Sequence, residues 1–135
     1  MRILIILALA LHVLPAVFWT GTTFVLARSG GIGAEKLFRP QMGAALVAFV
    51  TGAFLWSQLH AGGFNPAEQT LALGALCALA AAGVQGSLAG RAVGRLRTQG
   101  GAMADVQSSF ATAHRIAAPL LAVTLVCMVI ARYVG

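Results

Sequence analysis

Four long apolar runs alternate with short polar breaks along this chain. A run of about 20 apolar residues, rising about 1.5 Å per residue, matches the hydrocarbon thickness of a bilayer. The pattern therefore predicts an all-α fold, an integral membrane bundle of four transmembrane helices in a single domain over residues 1–135. The predicted helices cover about residues 3–27, 41–60, 68–90 and 113–133, with basic loops at 28–40 and 91–112.

Composition supports a membrane protein. The chain is 59% hydrophobic and 9% charged, whereas soluble domains contain about 25% charged residues. The net charge of +6 does not indicate a nucleic-acid partner, because the basic residues lie at the ends of apolar runs and not on a polar surface rich in aromatic residues. The expected partner is the lipid bilayer.

The basic residues also predict an orientation. Short cytoplasmic loops carry an excess of Lys and Arg. Six basic residues fall in the two predicted basic loops, whereas only Arg2 and Arg132 fall near the other ends of the helices. The six are Arg28, Lys36, Arg39, Arg91, Arg95 and Arg97. We therefore expect both termini on the outer (periplasmic) side of the membrane.

Small residues recur every four positions on two of the predicted helices, and such residues let helices approach closely in lipid. One series is Gly74, Ala78, Ala82, Gly86, Gly90 and Gly94; the other is Ala44, Ala48 and Gly52, continued by Trp56 and His60. Both series are predicted to mark packing faces. The Gly74 to Gly94 face also offers a surface for a second copy or a partner membrane protein.

Three histidines lie in or beside the apolar runs, and ionisable side chains inside a membrane usually mark a function. From the helix rise, His12 is placed about 5 Å to the outer side of the midplane, His60 about 13 Å out and His114 about 13 Å in. Each histidine is therefore a candidate site residue.

Sulfur-bearing side chains are predicted near the level of His12. Cys77, Cys127 and Met128 fall about 3–8 Å to the outer side of the midplane. Imidazole and sulfur ligands suit Cu(I), although Cys and Met also fill apolar cores. Cys127 and Met128 point in different directions, so both cannot be ligands. The candidate copper ligands are His12, Met128, Cys77 and His60.

Haem b is an alternative cofactor, because membrane bundles hold it between histidines on facing helices. His12 and His60 are the only pair expected on one side of the bilayer. Their predicted levels differ by about 9 Å, so joint ligation requires a shift of one helix.

Two further polar features have both a functional and a structural interpretation. His114 and Arg115, at the cytoplasmic start of the last helix, are candidates for contact with an anion or a lipid phosphate. Trp19 and Thr23 share a face of the first helix with His12, and Gln85 is expected to meet that face through a structural hydrogen bond.

Known enzyme motifs are lacking. The chain has no phosphate-binding loop, nucleophile elbow or paired carboxylates, which disfavours a hydrolase and leaves enzymatic activity uncertain. A non-catalytic subunit of a larger membrane complex is a further alternative.

The segment Leu11 to Gly21, in which a Leu-His pair precedes Trp and Gly, resembles the opening helix of the copper resistance protein D membrane domain. Several other segments show the same layout: Phe38-Arg39-Pro40, Gly52 to Trp56, and Gly62-Gly63-Phe64. The resemblance implies an inner-membrane location, a role in copper movement or supply, and His12 as the functional residue. Similar layouts occur in membrane haem proteins, including one type of protoporphyrinogen oxidase.

Overall fold

The computed structural model describes residues 1–59, 63–98 and 103–134. Helix α1 spans Arg2–Arg28, α2 spans Ala34–Leu59, α3 spans Pro66–Thr98 and α4 spans Met103–Ala131. All four are long and apolar enough to cross a membrane, and no strand occurs in the described ranges. The predicted all-helical class with four membrane-length helices is confirmed.

The helices run alternately up and down. Both termini and the Asn65 turn lie at one end of the bundle, here called the termini end, and the Gly30–Gly33 turn lies at the other, the loop end. Helix α1 packs against α2 and α4, and α3 packs against α4. Helices α2 and α3 make few contacts with each other outside one turn of α3. The bundle is therefore closed on three sides and open on the side between α2 and α3.

Helix α2 and the last two helices extend further toward the loop end than the sequence predicts. Helix α2 begins at Ala34 and contains Pro40, and α4 begins at Met103. Helix α3 continues to Thr98, so residues 91–98 are helical and do not belong to the predicted basic loop. Polar residues at these ends continue the helices because each helix still buries apolar residues there: Ala34 of α2, Ala92 of α3, and Val106 and Phe110 of α4.

Two local signals position the helix ends. Asn65 caps α3 by accepting a hydrogen bond from the Glu68 backbone N–H, and the Glu68 carboxylate accepts one from the Asn65 backbone N–H. This reciprocal pair fixes the start of α3.

At the loop end, Gly31 has φ of +81°. A Cβ atom there would lie 2.9 Å from the Ala111 nitrogen, so the α1–α2 turn sits directly on α4.

Helix α3 contains a π-helical turn at Gln85–Ala89. Its inward residues are Gly74, Ala78, Ala81, Gln85, Ala89 and Ala92, with an average spacing close to a helical turn. A strict four-residue series drifts about 40° per step around a helix with 3.6 residues per turn. For this reason the prediction that the whole Gly74 to Gly94 series forms one packing face is wrong: Gly86 and Gly94 are exposed.

Buried polar side chains join all four helices at one level. The Trp19 indole N–H donates to the Gln85 side-chain oxygen at 2.6 Å, and the Gln85 amide donates to Thr23 at 2.9 Å. The Gln41 amide donates to Thr22 at 2.9 Å and also lies 3.4 Å from the Thr23 hydroxyl oxygen. The predicted meeting of Gln85 with the Trp19 face is confirmed, and we call the whole set the polar belt.

His114 completes the polar belt from α4. Its Nε2 atom is 3.1 Å from the Gln41 side-chain oxygen, and its Nδ1 atom is 2.7 Å from the Phe110 carbonyl. The side chain is 1% exposed. The prediction that His114 contacts an anion or a lipid headgroup does not fit this burial, because both ring nitrogens are already in contact with the protein. Arg115 is exposed.

We expect Gln85→Leu to lower the free energy of unfolding by about 1–3 kcal/mol, because it leaves the buried Trp19 N–H without an acceptor. The measurement is denaturant unfolding in bicelles. Gln58→Leu, at an exposed position of α2, is the matched control and should change stability by less than about 0.5 kcal/mol. Equal effects of the two substitutions would contradict a stabilising role for the belt.

Candidate functional site

A cavity of about 250 Å³ lies between the polar belt and the termini end. All four helices line it, and its lining is largely alanine, glycine, leucine and aromatic side chains. The lining residues are His12, Ala16, Trp19, Thr20, Ala48, Phe49, Gly52, Ala53, Trp56, Leu71, Ala75, Ala78, Leu121, Thr124, Leu125 and Met128. Such apolar cavities with few polar groups are typical of small-molecule sites.

His12 is the one ionisable residue among the described residues that line the cavity. Its Nδ1 atom lies 2.8 Å from the Ala48 carbonyl oxygen and 3.3 Å from the Thr51 hydroxyl, which itself donates to the Val47 carbonyl. A carbonyl oxygen only accepts, so Nδ1 carries the proton. In the neutral ring, Nε2 then keeps a free lone pair. Within the described residues, Nε2 has no hydrogen-bond partner.

Gly52 makes room for the imidazole of His12. A Cβ atom at position 52 would lie 3.0 Å from Cε1 and 3.3 Å from Nδ1 of the ring. The small-residue series on α2 therefore has a specific use: Ala48 supplies the carbonyl that orients the ring, and Gly52 supplies the space beside it. Ala48, Gly52 and Trp56 all line the cavity, as their shared helical face predicts.

Trp19 connects the cavity to the polar belt. Its indole is 3% exposed, donates to Gln85, and meets the Phe49 ring edge-on at a centroid distance of 5.9 Å. Because Trp19 and Phe49 both line the cavity, the hydrogen bond that Trp19 donates to Gln85 holds one side of the site in a fixed orientation.

The predicted sulfur ligands separate in the structure. Met128 lines the cavity with His12, whereas Cys77 does not. Cys127 is buried in the α3–α4 contact, where a Cβ atom on Gly74 would lie 3.0 Å from its own Cβ. The described part of the chain holds no group of three His, Cys, Asp or Glu residues able to bind a metal ion. His60 lies outside the described residues.

The sequence does not predict two contacts of the site region: the bonds of Gln41 to Thr22 and His114, and the bond of the Ala48 carbonyl to His12. Gln41 could have been noticed as a polar residue near the start of an apolar run. No sequence signal identifies the Ala48 carbonyl, because an intrahelical carbonyl becomes an acceptor for another helix only through packing.

Comparison with known proteins gives no relative for this site. No family model matches the chain, no curated protein is significantly similar to it, and no solved structure matches it.

We expect nitrogen-15 spectra of the protein in bilayers to show a proton on Nδ1 of His12, because Nδ1 donates to the Ala48 carbonyl. His12→Ala assigns the signal by its loss. Gly52→Leu should remove this signature, because its side chain overlaps the ring and breaks the contact with Ala48. Gly43→Leu is the matched control on α2, since nothing lies within 4 Å of a Cβ atom there. A bare Nδ1 in the unaltered protein would contradict the structure.

Proposed function

We propose that this protein is a haem b-binding protein of the bacterial inner membrane, with His12 as the ligand of the haem iron. The observation that carries the proposal is the imidazole of His12. Its Nδ1–H is bound to the Ala48 carbonyl at 2.8 Å, and the ring lines an apolar cavity formed by all four helices. Ligating histidines commonly donate their other ring N–H to a backbone carbonyl in this way.

The residues around His12 fit a porphyrin better than a lone metal ion. An ion needs several ligand atoms at close range, whereas the cavity measures about 250 Å³ and is lined mainly by apolar groups. Small side chains at Ala16, Ala53 and Ala75 leave space, and Trp19 and Phe49 present aromatic surface. The cavity is not closed between α2 and α3, which make few contacts with each other outside one turn of α3.

Met128 is the candidate for a second residue that would hold the haem iron, because it lines the same cavity from α4. His and Met ligation is one of the known modes of haem binding and raises the reduction potential. A bound haem supplies one-electron chemistry, so the proposed role is electron transfer or a redox step in the membrane.

The proposed orientation places the termini end, and with it the cavity, on the periplasmic side. The support is the distribution of charge: Arg28, Lys36, Arg91, Arg95 and Arg97 are exposed near the loop end, and such an excess is typical of the cytoplasmic side.

Haem titration of the purified protein tests the proposal. We expect one haem per chain with a strong Soret band. Loss of an outer-shell partner of a ligand typically weakens binding by about 10- to 100-fold. Because His12 is the proposed ligand itself, His12→Ala should weaken haem binding by more than this. Cys77→Ala is the control, because Cys77 does not line the cavity. A spectrum unchanged in His12→Ala would contradict the proposal, and absence of haem binding would favour a non-catalytic subunit.

Copper binding is the second candidate, because His12 and Met128 supply one imidazole and one thioether to the same cavity. This pair suits Cu(I), and the resemblance of Leu11 to Gly21 to copper resistance protein D points the same way.

If copper is the ligand, competition with a Cu(I) chelator should show stoichiometric binding that falls in both His12→Ala and Met128→Leu. Cys77→Ala and Cys127→Ala should bind like the unaltered protein, since neither cysteine lines the cavity. Copper binding that depends on the cysteines and not on Met128 would contradict this assignment.

A further inference from the structure

The cavity is closed on the side of α1 and α4, called here the back, and open on the side of α2 and α3, called the front. At the back, Trp19 is 3% exposed and Leu121 is 2% exposed, and α1 packs against α4 along this side. At the front, α2 and α3 make few contacts with each other except at the π-helical turn. Both helices nevertheless contribute lining residues. The cavity therefore reaches the surface of the bundle between α2 and α3.

Small side chains border this opening. Ala53 on α2 is exposed and Ala75 on α3 is half-buried, although both line the cavity. Neither side chain is large enough to cover the gap between the two helices.

The opening lies at the depth of the apolar core. Ala53 lies about 9 Å from the end of α2 and Ala75 about 14 Å from the start of α3, at about 1.5 Å per residue. The exposed apolar neighbours on the two helices are Val50, Phe54, Leu76 and Leu79. The exposed Ser57, one turn closer to the termini end, donates its hydroxyl to the Phe54 carbonyl. A surface of this kind is suited to contact with lipid chains.

We infer that the cavity exchanges its ligand with the hydrocarbon phase of the bilayer, through the opening between α2 and α3. The ligand class is a lipid-soluble, largely apolar molecule with one group that His12 Nε2 can bind. This inference rests on the proposed function for the identity of the ligand, haem, but the route follows from the packing of the helices alone.

Fluorescence quenching of Trp19 tests the route without haem. The chain has two tryptophans, so Trp56→Phe leaves Trp19 as the only one. This variant is reconstituted in phosphatidylcholine vesicles containing either bromodecane, which dissolves in the hydrocarbon, or iodide in the aqueous phase. We expect bromodecane to quench Trp19 and iodide to have little effect, although Trp19 is buried inside the bundle.

Bulky side chains at the opening provide the decisive comparison. In the Trp56→Phe background, Ala53→Phe and Ala75→Phe should each remove most of the quenching by bromodecane. Ala80→Phe is the matched control, because Ala80 is an exposed alanine of α3 that does not line the cavity. It should leave quenching unchanged. Helical circular dichroism and thermal unfolding confirm that each variant is folded.

Three results would overturn the inference: quenching by iodide, which indicates entry from water; no quenching by bromodecane; or equal quenching in Ala75→Phe and Ala80→Phe. Each leaves the haem proposal intact if the Soret titration succeeds. Conversely, the expected quenching without a Soret band leaves the lateral route standing and rejects haem as its ligand. If both hold, haem supplied in vesicles should load Ala75→Phe more slowly than Ala80→Phe.

Discussion

Polar side chains inside an apolar bundle must bind one another, because neither lipid chains nor neighbouring alanines offer them a partner. In this protein Gln85 and Gln41 meet that requirement. Gln85 joins α3 to Trp19 and Thr23 of α1, and Gln41 joins α2 to α1 and to His114 of α4. Helices in a bilayer gain little from apolar attraction to one another, and these bonds, with the small-residue contacts, define how the four helices are arranged.

The candidate site depends on that arrangement. The polar belt ties the helices together at mid-level, and the three close packing pairs leave α2 and α3 apart toward the termini end. The cavity fills this space. Trp19 belongs to both regions, since it donates to Gln85 and also lines the cavity. A change in the polar belt therefore alters the position of Trp19 in the cavity wall.

His12 differs from His114 in the number of ring nitrogens that contact protein oxygen atoms. His114 has a protein oxygen within 3.1 Å of each ring nitrogen and is 1% exposed. His12 is held through Nδ1 alone, at the Ala48 carbonyl, and is half-buried beside the cavity. The same residue type thus has both ring nitrogens against the protein at one level of the bundle and, among the described residues, only one at another. Sequence position alone does not separate these two arrangements.

The sequence by itself determined the fold class, because runs of apolar residues long enough to cross a bilayer have few alternatives to the helix. It also singled out His12, the face of Trp19 and its meeting with Gln85, since helical periodicity and the cost of an unpaired polar group are local properties. Only the tertiary structure decided that Met128 lines the cavity and Cys77 does not, that Gly86 and Gly94 leave the packing face, and that His114 pairs with Gln41. The physical reason is that these outcomes depend on the rotation and neighbours of each helix. Those are set by contacts between residues far apart in the chain, and a turn with π-helical spacing such as Gln85–Ala89 alters them further.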